Sequence, residues 1–404
     1  MSARAAATAS LWSDRLTRGA AVAAAFFLPI STAAAGAALA LFALAWIASP
    51  NLPARLRAAA ADPVARAALA LALLFAAGTL WSSATAAEAW AEALKYRKLL
   101  LLAMMIAVMN ERRWRWAVLA AFVAGAFVVI VASMLIAAGV LPPAPRGGPG
   151  NAVAFKNHIT ESFVSALAFF VLLTAARWDA RPLARALASI GAAACAAHVL
   201  WLLIGRTGYV MLAVMLLTWA ALAAGRRRSL VAGALGAAAL ALFVLASPSF
   251  LQRAQSTLAE AREYQQSGAV TSVGMRYLFA QRALELWWRA PLWGHGTGSV
   301  ATEYAKFPKD TAAASLPTDN LHGEYFGLAV QFGVLGLAAF GVLLWRHGAA
   351  AAQLTGPRRD LALGLLVAFA FGALFNSLLR DFTEGHLYAV LAGTLLAGRS
   401  KPSP

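Results

Sequence analysis

The sequence is poor in charge, nearly free of cysteine and short of acids. Only 13% of its 404 residues are charged and 61% are apolar, whereas a soluble domain carries roughly a quarter charged residues. The single cysteine, Cys195, excludes an intramolecular disulfide. Its place inside an apolar run reads as a packing residue. Acids number 17 against 34 Lys and Arg, a formal net charge of +17. In a soluble chain that excess suggests nucleic acid. Here the bases are split among short segments between apolar runs, which excludes a nucleic-acid partner. There is no P-loop, no Asp-x-Asp pair, no His-Glu-x-x-His and no cysteine cluster. Metal or nucleotide chemistry therefore has no support, and no cofactor is expected. A cleavable signal peptide is not expected either: Asp14, Arg15 and Arg18 precede an apolar run that continues far past a signal h-region.

What is present is a series of long uncharged stretches, near the roughly 20 residues that cross a hydrocarbon core. The expected spans are 19–33 and 34–49 (a hairpin broken near Pro29 and Ser31), 63–82, 94–110, 114–138, 157–176, 184–204, 207–224, 229–246, 321–345, 360–379 and 383–398. The fold class is thus an all-α polytopic membrane protein of about twelve transmembrane helices. Residues 1–246 carry helices 1–9 and residues 321–404 carry helices 10–12. Between them, 247–320 forms one large outer loop with amphipathic helices, expected to lie over the membrane domain as a cap.

Alternate connections are basic throughout: Arg55, Arg57 and Arg66; Arg112, Arg113 and Arg115; Arg226, Arg227 and Arg228, for example. The positive-inside rule puts that side in the cytoplasm, with both termini, as an even helix count requires. Fourteen bases are left outside. Seven lie in the large loop. The other seven are Lys95, Arg97, Lys98, Arg146, Lys156, Arg206 and Arg380, in short outer loops or at helix ends where topology disfavours positive charge. An anionic ligand at the outer leaflet, such as a lipid phosphate or diphosphate, fits them. Snorkelling to phospholipid headgroups is the alternative for any one of them.

Arg206 lies in Gly205-Arg206-Thr207-Gly208, between two apolar segments with no acid beside it in sequence. A helix start there supplies unpaired N–H groups, and the arginine adds a bidentate fork, which describes a phosphate site. Over 274–290 the helical period puts Arg282, Glu285 and Arg289 on one polar stripe. Arg276 falls opposite, with Ala280, Ala283, Leu284 and Trp287, as an inward arginine that needs an anionic partner. His322 is the candidate base. Thr318 or Asp319 is placed to cap a helix starting near residue 320, with His322 in its first turn, where the positive helix end favours neutral imidazole. His198 reads as a packed residue, His347 as cytoplasmic, His295 as part of a glycine-rich turn, and His158 and His386 as secondary outer candidates. Gly294-His295-Gly296-Thr297-Gly298 lacks the strand and spacing of a dinucleotide loop and reads as a turn after Pro291.

Together these residues resemble the O-antigen ligase family, within the superfamily of O-antigen ligases and polymerases. Gly205-Arg206-Thr207-Gly208-Tyr209 is similar to the family's Ser-Arg-Thr-Gly motif, with glycine for serine. Gly274-Met275-Arg276 with Pro291–Gly298 is similar to its arginine, amphipathic helix and glycine-rich turn. Leu321-His322-Gly323-Glu324-Tyr325 with Gln331-Phe332-Gly333-Val334-Leu335-Gly336 is similar to its His block and Gly-x-x-Gly tail. The family often has Asn after the His, where Gly323 stands here and Asn320 lies just before.

The resemblance implies a GT-C-like membrane glycosyltransferase of the bacterial inner membrane, with its active site facing the periplasm. It would move O-antigen from undecaprenyl diphosphate to a sugar hydroxyl of lipid A–core oligosaccharide, with inversion and without metal or nucleotide. His322 would be the base, and Arg206 and Arg276 would hold the diphosphate. Lys156, Arg380 and Arg146 are candidates to extend the anion site, on charge placement. An O-antigen polymerase and a protein O-oligosaccharyltransferase are alternatives in the same class. Polymerases tend to have two large outer loops, and protein glycosyltransferases a longer chain after the His block. A lipid or polysaccharide transporter is the alternative in another class. It predicts charges deep in several spans and an internal repeat.

Overall fold

The structure, a computed structural model, describes residues 3–148, 150–224 and 248–399, with side chains except those of 3–10, 248–254 and 258. Among the described residues there is no strand, only an isolated bridge between Gly148 and Asn151. The fold is all-α, as expected. The expected span 229–246 lies outside the described residues.

The helices are α1 (Ala3–Phe27), α2 (Thr32–Ile47), α3 (Leu52–Ala61), α4 (Pro63–Ala77), α5 (Ala86–Lys95), α6 (Lys98–Val108), α7 (Arg112–Ala137), α8 (His158–Trp178) and α9 (Pro182–Ala197). They continue as α10 (Arg206–Ala224), then α11 (Pro248–Ser267), α12 (Ser272–Arg289), α13 (Val300–Tyr304), α14 (Glu324–Ala352), α15 (Gly356–Gly372) and α16 (Phe382–Leu396). Local chemistry sets many of their starts. The Ser31 side chain accepts from Ala34 N at 3.2 Å, closing the α1–α2 hairpin. Asp62 accepts from Val64 N and Ala65 N at 2.8 and 3.1 Å, just ahead of Pro63. Thr85 and Glu88 form a capping box, and Asn157 caps α8 through Ile159 N and Thr160 N.

Six described helices are long and apolar enough to cross a membrane: Pro63–Trp81, Arg112–Ala137, His158–Trp178, Pro182–Leu202, Arg206–Ala224 and Glu324–Ala352. The pair α2 and α3, bent by 105°, makes a seventh if taken as one span. The other expected spans that fall on described residues are also helical but shorter, between the 11 residues of α6 and the 17 of α15. The exception is α1, which is long but carries Asp14, Arg15 and Arg18 along its course.

Several boundaries differ from the hydropathy reading. The span 94–110 is broken at Tyr96 and Arg97, which lets buried Lys98 donate to the carbonyls of Arg380 and Asp381 at 3.1 and 2.7 Å. The connection holding Arg55 and Arg57 contains α3, and Arg55 is buried against Asp14. Helix α14 runs past residue 345 and takes in Arg346 and His347. His347 is therefore no loop residue. It is fully buried, 3.1 Å from the Tyr388 hydroxyl and 3.0 Å from the Ala362 carbonyl.

One apolar core unites most of the long helices, with Cys195 sealed inside it. A smaller core joins α12 and α13 to the first half of α14 through Phe279, Leu286, Val300, Tyr304, Phe307 and Val330. This second core fixes the segment 279–321 against the first half of α14.

Candidate active site

The site is built where three segments meet: the turn before α14, one face of α12, and the start of α10. The turn comes first. Helix α14 begins at Glu324 with Gly323 as its N-cap and no side-chain cap, so neither Thr318 nor Asp319 caps it and His322 lies outside its first turn. His322 has φ 52°, alone among the described non-glycine residues in being left-handed. That region costs a side-chain-bearing residue roughly 1–2 kcal/mol, so neighbouring contacts must hold it. Asn320 supplies one of them. Its Oδ1 accepts from His322 N at 2.9 Å and from Ser377 Oγ at 2.7 Å. Behind the turn, buried Glu324 accepts from the Tyr96 hydroxyl at 3.0 Å and Leu379 N at 2.8 Å. These bonds tie the His block to the α15–α16 connection.

The His322 ring lies nearly parallel to Phe279 of α12, with centroids 5.8 Å apart. The His322 residue is exposed to solvent, with one face of its ring covered by Phe279. Burial there, and then the charges of Arg276 and Arg380, hold its pKa below the usual histidine range, with Asp319 opposing. The imidazole is thus biased to the neutral form by desolvation and nearby cations rather than by a helix end.

Helix α12 forms over the expected segment, starting at Thr271, whose hydroxyl accepts from Gly274 N at 3.0 Å. Its buried face differs from the one read by periodicity. Arg282 is buried at 6% exposure, donates to the Pro308 carbonyl at 2.8 Å and stacks on Tyr304 and Phe307 at 4.7 Å. Leu284 is exposed. Arg276 sits half-buried at the edge of the inward face, one turn before Phe279 and hence beside His322. Its Nη2 reaches Thr207 Oγ1 at only 3.5 Å, and no described acid pairs with it. Burial, then Arg206, pushes its pKa down.

Gly205 and Gly208 bring the start of α10 against α8. A Cβ at Gly208 would stand 2.5 Å from Ser162, and one at Gly205 2.9 Å from the His158 ring. Arg206, carried between them, has an acid partner that its sequence neighbourhood did not reveal. Its Nη1 donates to Glu260 Oε2 and its Nη2 to Ser256 Oγ, both at 3.1 Å, while Nη2 also meets Glu260 Oε1. Its Nε is buried without a hydrogen-bond partner. Arg206, Arg276 and His322 therefore form a continuous row, with Arg380 closing its far end.

Arg380 is engaged by acids. It forks onto Glu92 at 2.7 and 3.0 Å and reaches Asp319 at 2.7 Å, and Lys95 also pairs with Glu92 at 2.8 Å. Although burial opposes it, the bond from Arg380 holds Asp319 below its ordinary carboxylate range. Lys156 and Arg146 stand elsewhere, lining a separate cleft, with Lys156 Nζ 2.6 Å from Thr32 Oγ1. The six candidates thus divide into two groups.

The remaining histidines are accounted for by packing. His198 is buried between Ser165 and Ser133 at 2.8 and 2.9 Å. His386 is buried with its Nδ1 2.7 Å from the Phe382 carbonyl, so it does not face outward. His158 is half-buried against Gly205.

The glycine-rich turn is a clamp. His295 N and Gly296 N donate to the carbonyls of Val330 and Gln331 at 3.0 and 2.9 Å. Thr297 N donates to Gly78 O at 3.0 Å, and Gly298 N to Gln331 Oε1 at 2.8 Å. Its amides are spent on protein carbonyls, not offered to a nucleotide. The mating surface is a kink in α14 at Gly333, with φ 60° and ψ −144°. Among the described residues, no three His, Cys, Asp or Glu side chains group as a metal site would require. Sequence reasoning missed Glu260 and Phe279, and noted Asn320 beside the His block without giving it a role. No spacing rule points to Glu260.

Residues 191–341, which carry the Arg206 segment, α12, the glycine clamp and the His322 turn, match the sequence model of the family described as O-antigen ligase. No curated protein matches the chain.

Proposed function

We propose that this chain, whose residues 191–341 match the O-antigen ligase family, is a multi-pass membrane glycosyltransferase that completes lipopolysaccharide as an O-antigen ligase. The donor is O-antigen on undecaprenyl diphosphate, and the acceptor is a sugar hydroxyl of lipid A–core. Transfer takes place at the periplasmic face of the inner membrane on a GT-C-like scaffold, with the termini in the cytoplasm. One observation carries this reading: Arg276, with which no described acid pairs, stands near enough to His322 for its charge to bias that histidine, stacked on Phe279, to the neutral form.

In this mechanism His322 accepts the proton of the acceptor hydroxyl as that oxygen attacks the anomeric carbon. The new glycosidic bond forms on the face opposite the diphosphate, the old anomeric C–O bond breaks, and undecaprenyl diphosphate leaves with the electron pair. The configuration inverts. Arg276 and Arg206 meet the charge that develops on the leaving diphosphate as cations already fixed in place. Arg380 sets the cationic end of the row while its own charge is balanced by Glu92 and Asp319. Neither metal nor nucleotide enters these steps.

The reading is tested by separating binding from transfer. Arg276→Ala is expected to weaken binding of undecaprenyl diphosphate, whereas His322→Ala is expected to keep binding and lose transfer to lipid A–core. Glycan lengthening on the lipid carrier in place of transfer would make the chain an O-antigen polymerase. Transport across vesicles without any transfer would make it a transporter, and transfer to a protein acceptor a protein O-oligosaccharyltransferase.

A further inference from the structure

We propose that the cleft lined by Lys156 and Arg146 is a second subsite, taking the membrane-proximal, anionically substituted sugar of a glycolipid. The cleft has a volume of about 400 Å³ and lies between the first turns of α2, α8 and α16, represented by Thr32, Asn157 and Phe382. That is within the usual size range of small-molecule pockets, roughly 300–1,000 Å³.

Its lining fits a sugar better than a bare phosphate. Phe155, 43% exposed, and Phe382 offer flat apolar faces to the C–H side of a pyranose ring. Thr32 Oγ1, which accepts from Lys156 Nζ at 2.6 Å, keeps its O–H as a donor, and Asn157, whose Oδ1 caps α8, keeps its side-chain NH2 donors. Asp381 and Glu384 only accept when ionised. Glu384 is almost fully buried and Asp381 part-exposed, so the cleft presents one accessible acid, placed to accept from a ring hydroxyl. Lys156 and Arg146 then meet one anionic substituent on that ring.

The cleft is distinct from the His322 row but adjacent to it. The turn at residues 380–381 divides them. Arg380 points its guanidinium to Glu92 and Asp319 on the His322 side, while Asp381 lines the cleft. A glycolipid seated there would have its headgroup one residue from the row that acts on it. The names of the two glycolipids rest on the proposed ligase function. The chemistry of the subsite does not.

The test uses the full chain in lipid nanodiscs, with Lys156→Ala and Phe155→Ala made separately. Binding of O-deacylated core oligosaccharide, before and after phosphatase treatment, is measured alongside binding and KM for lipid A–core and for undecaprenyl-diphosphate-linked glycan. Each variant is expected to weaken one of the two glycolipids about tenfold, as loss of one charge-assisted or stacking contact predicts. Weakening of lipid A–core, with phosphatase treatment reproducing the Lys156→Ala effect, assigns the acceptor. Weakening of the carrier-linked glycan assigns the donor. Unchanged affinity for both in folded variants overturns the subsite. If wild type transfers nothing, the ligase reading fails, and the binding measurements still decide the subsite.

Discussion

Arg206 grips both carboxylate oxygens of Glu260, with its Nη1 3.1 Å from Oε2 and its Nη2 on Oε1. An arginine fork accepts a carboxylate or a phosphate in the same geometry. Glu260 therefore stands where diphosphate oxygens stand in the proposed mechanism. Glu260→Gln is expected to tighten undecaprenyl diphosphate binding about tenfold, because a weaker neutral partner competes for the fork. Titration of the purified protein checks it. Unchanged affinity in a folded variant would mean that Arg206 does not hold the diphosphate.

The pH dependence follows from His322. A base acts only when neutral, so kcat/KM should fall as pH drops through its pKa. Burial and the cations Arg276 and Arg380 depress that pKa. The acid limb should then have its midpoint below the ordinary histidine value of about 6.5. Arg276→Gln removes one of the opposing charges, so protonated imidazole becomes easier to form and the midpoint should move to higher pH. A midpoint unmoved by that substitution would separate His322 from the limb.

Asn320 holds the left-handed His322 through its backbone N and links it to Ser377. Asn320→Ala deletes both bonds and should lower kcat at least about tenfold, the equivalent of roughly 1.4 kcal/mol. Asn320→Asp retains both acceptor contacts and should recover most of the rate. Steady-state kinetics with both substrates checks this. A loss confined to donor KM would argue against a role in placing the base.

Gly333 has φ 60°, and a Cβ there would lie 2.3 Å from the Pro291 carbonyl oxygen. Gly333→Ala should lower the thermal inactivation temperature through roughly 1–3 kcal/mol of backbone strain added to that clash. Gly341 lies in the same helix with nothing within 4 Å of its absent Cβ. Gly341→Ala should be neutral or stabilising, by up to about 1 kcal/mol. Equal effects at the two positions would remove the clamp from the account.

Local signals were legible in the sequence. The α1–α2 break at Pro29 and Ser31, the helix across 274–290 and the prominence of Arg206, Arg276 and His322 all come from patterns within a few residues. The rest depends on contacts between distant segments. Glu260 lies 54 residues from Arg206, and no periodicity couples them. Arg282 has the spacing of a solvent-facing residue, yet it is buried because Tyr304 and Phe307, from the next segment, stack on its guanidinium. The late start of α14 is set by Glu324 N bonding the Ala373 carbonyl at 2.9 Å, a tertiary contact that Thr318 and Asp319 do not announce. Hydropathy likewise ran one span from residue 94 into α6, because the break at Tyr96 and Arg97 serves Lys98, whose carbonyl partners lie beyond α15.

The central claim is transfer by His322. Purified protein is mixed with undecaprenyl-diphosphate-linked O-antigen and lipid A–core, with EDTA present and no nucleotide, and wild type is compared with His322→Ala. A ladder of extended lipopolysaccharide with wild type is the predicted result, absent with the variant although the variant still binds the donor. The same ladder with His322→Ala, or none with folded wild-type protein, would contradict it.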